Sequence, residues 1–239
     1  MCKFFSCVSD GNGNMFYLNY DQRKNTEDEF ESPDSHTSIA NYYGFNGKKE
    51  DKLNKYEFNP ITKVFTIDQI NTKDDSDIIK KKCLKLNFKN IVPELKIKKI
   101  FNPVKSKKCK KVTEVEIELL KTWVSVKDSV KDSVRDSFWV SVWVSVWVSV
   151  WVSVWDSVRV SVWVSVKDSV KDSVRDSVRD SVKDSVVVYI SSFFNIPFKY
   201  DFSSLIKLWE CGLIPSYDGK IWRLHGYKGK IMWEEKLKR

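Results

Sequence analysis

The sequence is poor in the residues that carry most chemistry. It holds two histidines, His36 and His225, in 239 residues. Neither has company at ligand spacing, so no metal is expected. The five cysteines, Cys2, Cys7, Cys83, Cys109 and Cys211, form no Cys-x-x-Cys pair and leave one over in any pairing scheme, which argues against a disulfide framework and for a reducing compartment. There is no glycine-rich phosphate loop and no nucleophile elbow; Gly11 and Gly13 sit in a polar turn. The apolar run that ends at Val8 is too short for a secretory leader and is soon interrupted by Asp10. No cofactor is expected.

What the chain has is concentrated charge. Its formal net charge is +9, but between Lys80 and Lys111 there are 13 lysines against one acid, Glu94, whereas from Trp123 to Val186 nine basic residues meet nine aspartates. A local positive field of this kind attracts phosphates. Lys105, Lys107, Lys108, Lys110 and Lys111 are therefore candidate nucleic-acid-binding residues, with Phe88 and Phe101 as rings on which bases would stack.

The chain also has a repeat. Residues 123–186 divide without remainder into 16 tetrapeptides of form [Trp/Lys/Arg]-[Val/Asp]-Ser-Val, broken at the fourth position only by Phe138. Single-base changes in a duplicated run of four codons would generate the variation. Three conformations compete. A single α-helix would run roughly 96 Å, any stripe on it would turn about 40° per unit, and Lys127, Lys131 and Arg135 would be like-charged i,i+4 neighbours. A membrane span is suggested by the 18 uncharged residues from Phe138 to Trp155, but its tryptophans are spread along it instead of gathered at its ends. The pattern is read here as a β-solenoid, with invariant Ser and Val inside or at corners and the variable first and second positions facing water. Trp143, Trp147 and Trp151 then form an outward ladder that would bind a partner or mediate self-association.

The flanks predict two small α+β segments. Residues 1–95 read as an N-terminal domain: a hairpin from Lys3–Val8 and Met15–Tyr20, a short helix capped by Asp34 or Ser35 and stopped at Gly44, a second hairpin around Asn59-Pro60, and a helix opened by Asp75-Ser76-Asp77. Residues 96–122 read as a lysine-rich strand and linker followed by a helix that the capping box Thr113-Glu114-Val115-Glu116 starts. The solenoid occupies 123–186. Residues 187–239 form a C-terminal cap, with a helix started by Ser203 or Ser204 and closed by Gly212, then a hairpin of 220–224 and 230–233. The fold class is thus mixed, two small α+β segments around a central solenoid, with a long helix as the alternative for the repeat.

Four stretches carry a resemblance: Met1-Cys2-Lys3-Phe4-Phe5-Ser6, Asp34-Ser35-His36-Thr37-Ser38-Ile39-Ala40, Asn54-Lys55-Tyr56-Glu57-Phe58-Asn59-Pro60 and the run Gly212 to Gly226. With the repeat between them, the chain resembles uncharacterised gut-phage and phage-metagenome proteins that carry variable numbers of Asp-Ser-Val-Trp/Arg repeats between similar ends. The resemblance implies a phage protein acting in the host bacterial cytoplasm and implies no activity. The first functional reading is a non-enzymatic protein that presents its repeat to a host protein or other macromolecule. Nucleic-acid binding through Lys80–Lys111 is the alternative, and an enzyme using His36 as a base, oriented by Asp34 or Asp21, is the third. No membrane association is expected.

Overall fold

The computed structural model describes residues 5–25, 35–130, 134 and 144–237. The fold is mixed α+β, and the chain divides into two compact units, one of residues 1–97 with 142–150 and one of 98–141 with 151–239.

The first unit is built on an antiparallel sheet in the order β2-β1-β3-β4. Its strands are β1 (Phe5–Ser9), β2 (Met15–Phe16), β3 (Asn54–Asn59) and β4 (Val64–Gln69), so both expected hairpins form. Asn59 accepts the Ile61 and Thr62 N–H groups and shapes the second turn. Two short helices, α1 (Tyr20–Asn25) and α2 (His36–Tyr42), lie between the hairpins. Ser35 is the N-cap of α2, accepting the Ser38 N–H at 2.9 Å. The cap of α3 (Ser76–Lys85) is Asp75.

Strand alternation sorts the core onto two faces. On one, Val8 packs with Leu18, Ile39, Ala40 and Leu53. On the other, Phe5 meets Phe88 edge to face at 5.3 Å, and β1 pairs Cys7 with Tyr56 and Ser9 with Asn54. Asp75, Ile79 and Cys83, four residues apart on α3, are all buried. The Asp75 carboxylate accepts from the Ser9 hydroxyl, the Gly13 N–H (2.8 Å), Asn54 Nδ2 (3.1 Å) and the Tyr56 hydroxyl (2.7 Å). Burial alone would raise its pKa, but these donors outweigh burial and hold it below the usual value. Gly11 is required by its φ of 78° and by space, because a Cβ there would meet the Lys73 carbonyl oxygen at 2.8 Å.

The repeat overturns the solenoid expectation. Most of the described repeat residues are helical. They form the end of α4 (Glu114–Val126), then α5 (Val144–Lys167) and the greater part of α6 (Arg175–Ser191), with 3-10 turns at Lys127–Ser129 and Asp172–Val174. Two effects, valine burial and i,i+3 ion pairs, offset the poor helix propensity of Ser and Val, which is about half a kcal/mol per residue. The fourth-position valines are buried: Val150, Val154, Val158, Val162 and Val166 are 0 % exposed, each worth roughly 1.5–3 kcal/mol. The third-position hydroxyls add nothing to helicity but find partners within their own helix, as Ser161 does in the Val158 carbonyl (3.1 Å) and Ser181 in the Val178 carbonyl (2.9 Å). The like-charge rows are relieved because a basic residue that follows an Asp-bearing unit stands three after its aspartate: Arg175 pairs with Asp172 at 2.7 Å and Arg179 with Asp176 at 3.3 Å. Invariant valine inside was correctly expected, but inside a helix packing and not a stack of strands.

Against α4 and α6 pack α7 (Ser203–Cys211) and the antiparallel sheet β5-β6-β7, of Ile214–Tyr217, Trp222–His225 and Ile231–Glu235. Glu116 accepts the Thr113 N–H at 2.8 Å, so the capping box forms. Gly212 closes α7 at φ 91° as expected, but its start is held by Asp201, which accepts the Ser203 N–H, and not by Ser203 or Ser204. Residues 96–102 form no strand. The core stacks Tyr189 on Trp209 at 4.7 Å, and Trp209 Nε1 donates to the Phe101 carbonyl at 3.0 Å. No helix among the described residues is long and apolar enough to cross a membrane.

Candidate functional site

Two polar constellations invite a catalytic reading, and in each the histidine ties elements of the fold together. His36, at the start of α2, is 9 % exposed. Its Nε2 lies 3.1 Å from the Tyr56 carbonyl oxygen; a carbonyl only accepts, so Nε2 carries the proton and ties α2 to β3. The acid beside Nδ1 is Asp68 of β4, at 3.6 Å, while Asp34 lies outside the described residues.

His225, at the end of β6, has Nδ1 3.0 Å from the Gly229 carbonyl oxygen and Nε2 2.7 Å from the Ser216 hydroxyl. By the same logic Nδ1 bears the proton and Ser216 donates to Nε2, the arrangement of a nucleophile and its base. Both residues are 0 % exposed, however, so no substrate reaches them. Ser169 of the repeat completes the network at 3.1 Å from Nδ1. Burial drives the imidazole pKa down to about 4; the Gly229 bond opposes this and Arg223 adds to it. Among the described residues no cluster of three His, Cys, Asp or Glu side chains is placed to hold a metal.

The exposed chemistry is basic and aromatic. The lysine-rich stretch is split: Lys80, Lys81, Lys82, Lys85 and Lys89 belong to the first unit, on α3 and the turn after it, and Lys105 to Lys111 to the second. Neither expected stacking ring is available as a free platform. Phe88 is 4 % exposed in the first core, and Phe101 is half-buried, with its N–H donated to the Tyr189 hydroxyl at 2.7 Å.

A different ring takes their place. The Lys107 ammonium lies 5.2 Å from the centroid of the Tyr227 ring, and that of Lys228 lies 5.6 Å from it. Tyr227 and Lys228 belong to the β6–β7 turn, which packs on the Pro103–Lys105 turn. Lys105, Lys107, Lys108, Lys110 and Lys111 are all exposed. Lys108 is also anchored, donating to the Glu210 carbonyl at the end of α7 at 2.7 Å, where the helix dipole favours a cation. Lys228 holds φ 55° and ψ 26°, a left-handed conformation that costs a non-glycine residue about 1–2 kcal/mol. Gly229 follows because the turn touches α5: a Cβ there would stand 2.0 Å from the Ser165 carbonyl oxygen. In sequence Tyr227 reads only as a turn residue; the signal for it is Lys228 and Lys230 on either side of Gly229, a basic turn remote from the basic segment.

Of the tryptophan ladder, Trp143 lies outside the described residues and Trp147 is on α5 with its side chain not described. Trp151 is half-buried and stacks on Trp155 at 5.0 Å. The outward positions of this helix are second-position valines, Val152, Val160 and Val164, which are 48 %, 60 % and 45 % exposed.

Comparison with protein-family models, with curated proteins and with solved structures gives no match.

Proposed function

We propose that the chain is a non-enzymatic binding protein whose second unit takes a nucleic-acid strand on Lys105, Lys107, Lys108, Lys110, Lys111 and Lys228 around Tyr227. The observation that carries this reading is the pairing of Lys107 and Lys228 with one aromatic ring, brought together from segments 121 residues apart. Phosphates would meet the ammonium groups, and an unstacked base would find the ring, which suits a single strand better than a duplex. A lysine at position 228, where glycine or asparagine would adopt φ 55° at less cost, fits a place where the charge is used. The phage resemblance makes the host bacterial cytoplasm the compartment in which the ligand would be met.

The test is titration with a fluorescent single-stranded oligonucleotide across a salt series. Affinity is expected to fall with a log–log slope of about −0.7 per contacting lysine, and Lys105→Gln/Lys107→Gln/Lys108→Gln to flatten the slope by about 2. Lys228→Asn separates binding from folding: asparagine tolerates the left-handed region, so stability should hold or rise while affinity falls. Salt-independent binding, or equal affinity in these variants, would overturn the reading.

A second reading, a host protein docking on α5, is supported by the exposed Val152, Val160 and Val164 beside the stacked Trp151 and Trp155. It would be favoured if Val160→Lys, and not the lysine variants, removed binding to a purified candidate partner.

A further inference from the structure

Cysteines that are remote in sequence meet inside the first unit. Cys7 of β1 and Cys83 of α3 are both 0 % exposed and free, with their Sγ atoms 4.0 Å apart. Met15 of β2 places its Sδ 3.8 Å from Cys83 Sγ. Since β1 pairs Ser9 with Met15, Met15 shares the face of the sheet that carries Cys7 and Ser9, one diagonal step away. Long side chains span such a step. Three sulfurs thus converge from three elements.

We infer that Cys7, Cys83 and Met15 form a binding site for a soft monovalent metal ion, Cu(I), held by two thiolates and a thioether. Metal–thiolate bonds run about 2.3 Å, so three sulfurs in a plane around one ion stand roughly 4.0 Å from each other. The two sulfur–sulfur separations, 4.0 and 3.8 Å, match that triangle. A zinc site would need a fourth ligand, and among the described residues no third His, Cys, Asp or Glu joins the pair. Thiolate and thioether donors select Cu(I) over harder ions. Binding converts one Cu(I) and two thiols into a bis-thiolate complex with release of two protons, without change of oxidation state. The complex carries one negative charge. Lys82, next to Cys83, donates its ammonium to the Gly13 carbonyl at 2.6 Å and so sets a positive charge on the loop that leads into Met15. Met15 is half-buried while both cysteines are sealed, so the thioether, which needs no deprotonation, is the point of entry.

The experiment offers the full-length protein Cu(I) as its bicinchoninate complex, without oxygen and with a non-thiol reductant. One equivalent should transfer, with ultraviolet thiolate-to-copper absorption and three sulfurs by X-ray absorption. A Cys2→Ser/Cys109→Ser/Cys211→Ser variant should retain capture, Cys83→Ser should lose it, and Met15→Leu should weaken it about tenfold or more. Met15→Leu conserves volume at a half-buried position, so it decides the matter even if Cys83→Ser does not fold. Absence of transfer, loss of capture in the triple serine variant, or unchanged affinity with only two sulfurs in Met15→Leu overturns the site.

Discussion

Above its unfolded pKa of 6.5 the buried imidazole of His225 is neutral in both states and leaves stability independent of pH. As pH falls the unfolded chain takes up a proton that the folded chain refuses until about 4. Stability is therefore full above 6.5 and is lost on acidification through that window, by about 2 kcal/mol between pH 7 and pH 5. Denaturant titration at the two pH values should show this loss, and His225→Gln should abolish that share of it while costing about 1–3 kcal/mol at pH 7 through the unpaired Ser216 hydroxyl. Persistence of the full loss in the variant would assign it to other groups. The sequence showed His225 only as a residue near a turn. Its true partners, Ser169, Ser216 and the Gly229 carbonyl, come from different elements, and nothing in local spacing announces them. The same holds for Asp75, legible as a helix opener but not as an acceptor for both hairpins. Local signals, by contrast, were read directly: Ser35 and Thr113 as caps and Gly212 as a stop depend on neighbours within four residues.

The helices of the repeat show why conformation was the hardest thing to read. The tetrapeptide Lys-Asp-Ser-Val is mostly a 3-10 turn at residues 127–130, falls in and around a turn at 167–170, and is α-helical at 183–186. Identical residues in different states leave tertiary contacts as the deciding influence. Charge counting saw the i,i+4 repulsion but not the i,i+3 attraction that the same spacing guarantees. Which residue faces inward is legible without the conformation, because an invariant valine next to a position that accepts lysine or arginine has to be the dry one. On α5, Val162→Asp should destabilise by about 3 kcal/mol or more, since the carboxylate would enter a site with 0 % exposure. Val160→Lys, at 60 % exposure, should change stability by no more than about 0.5 kcal/mol. Denaturation midpoints followed by far-ultraviolet circular dichroism check both, and the reverse order would invert the assigned faces.

At the scale of the whole molecule, each unit has its own sheet and its own core, so damage should stay local. Gly229→Ala, which drives a methyl group into the Ser165 carbonyl, should raise amide exchange across residues 151–237 while β1, β3 and α3 keep their protection. Hydrogen exchange read by mass spectrometry tests this, and equal loss in both units would make them one cooperative body. A repeated sequence raises a problem of its own, that of sliding. Asn102 Nδ2 donates to Ser161 at 2.7 Å, and the Tyr217 N–H to Ser181 at 2.9 Å, yet every unit offers the same serine. The mismatch between a unit of four and about 3.6 residues per turn rotates each unit by about 40° from the one before, so only some of those serines face a given partner. Like the two scales of a vernier, unit and turn come back into coincidence only after about nine units. A helix that slips by one unit along its own screw brings an identical serine to the same place, so what singles out one alignment is the variable first and second positions, such as Asp156 and Arg159 set among Trp-Val units.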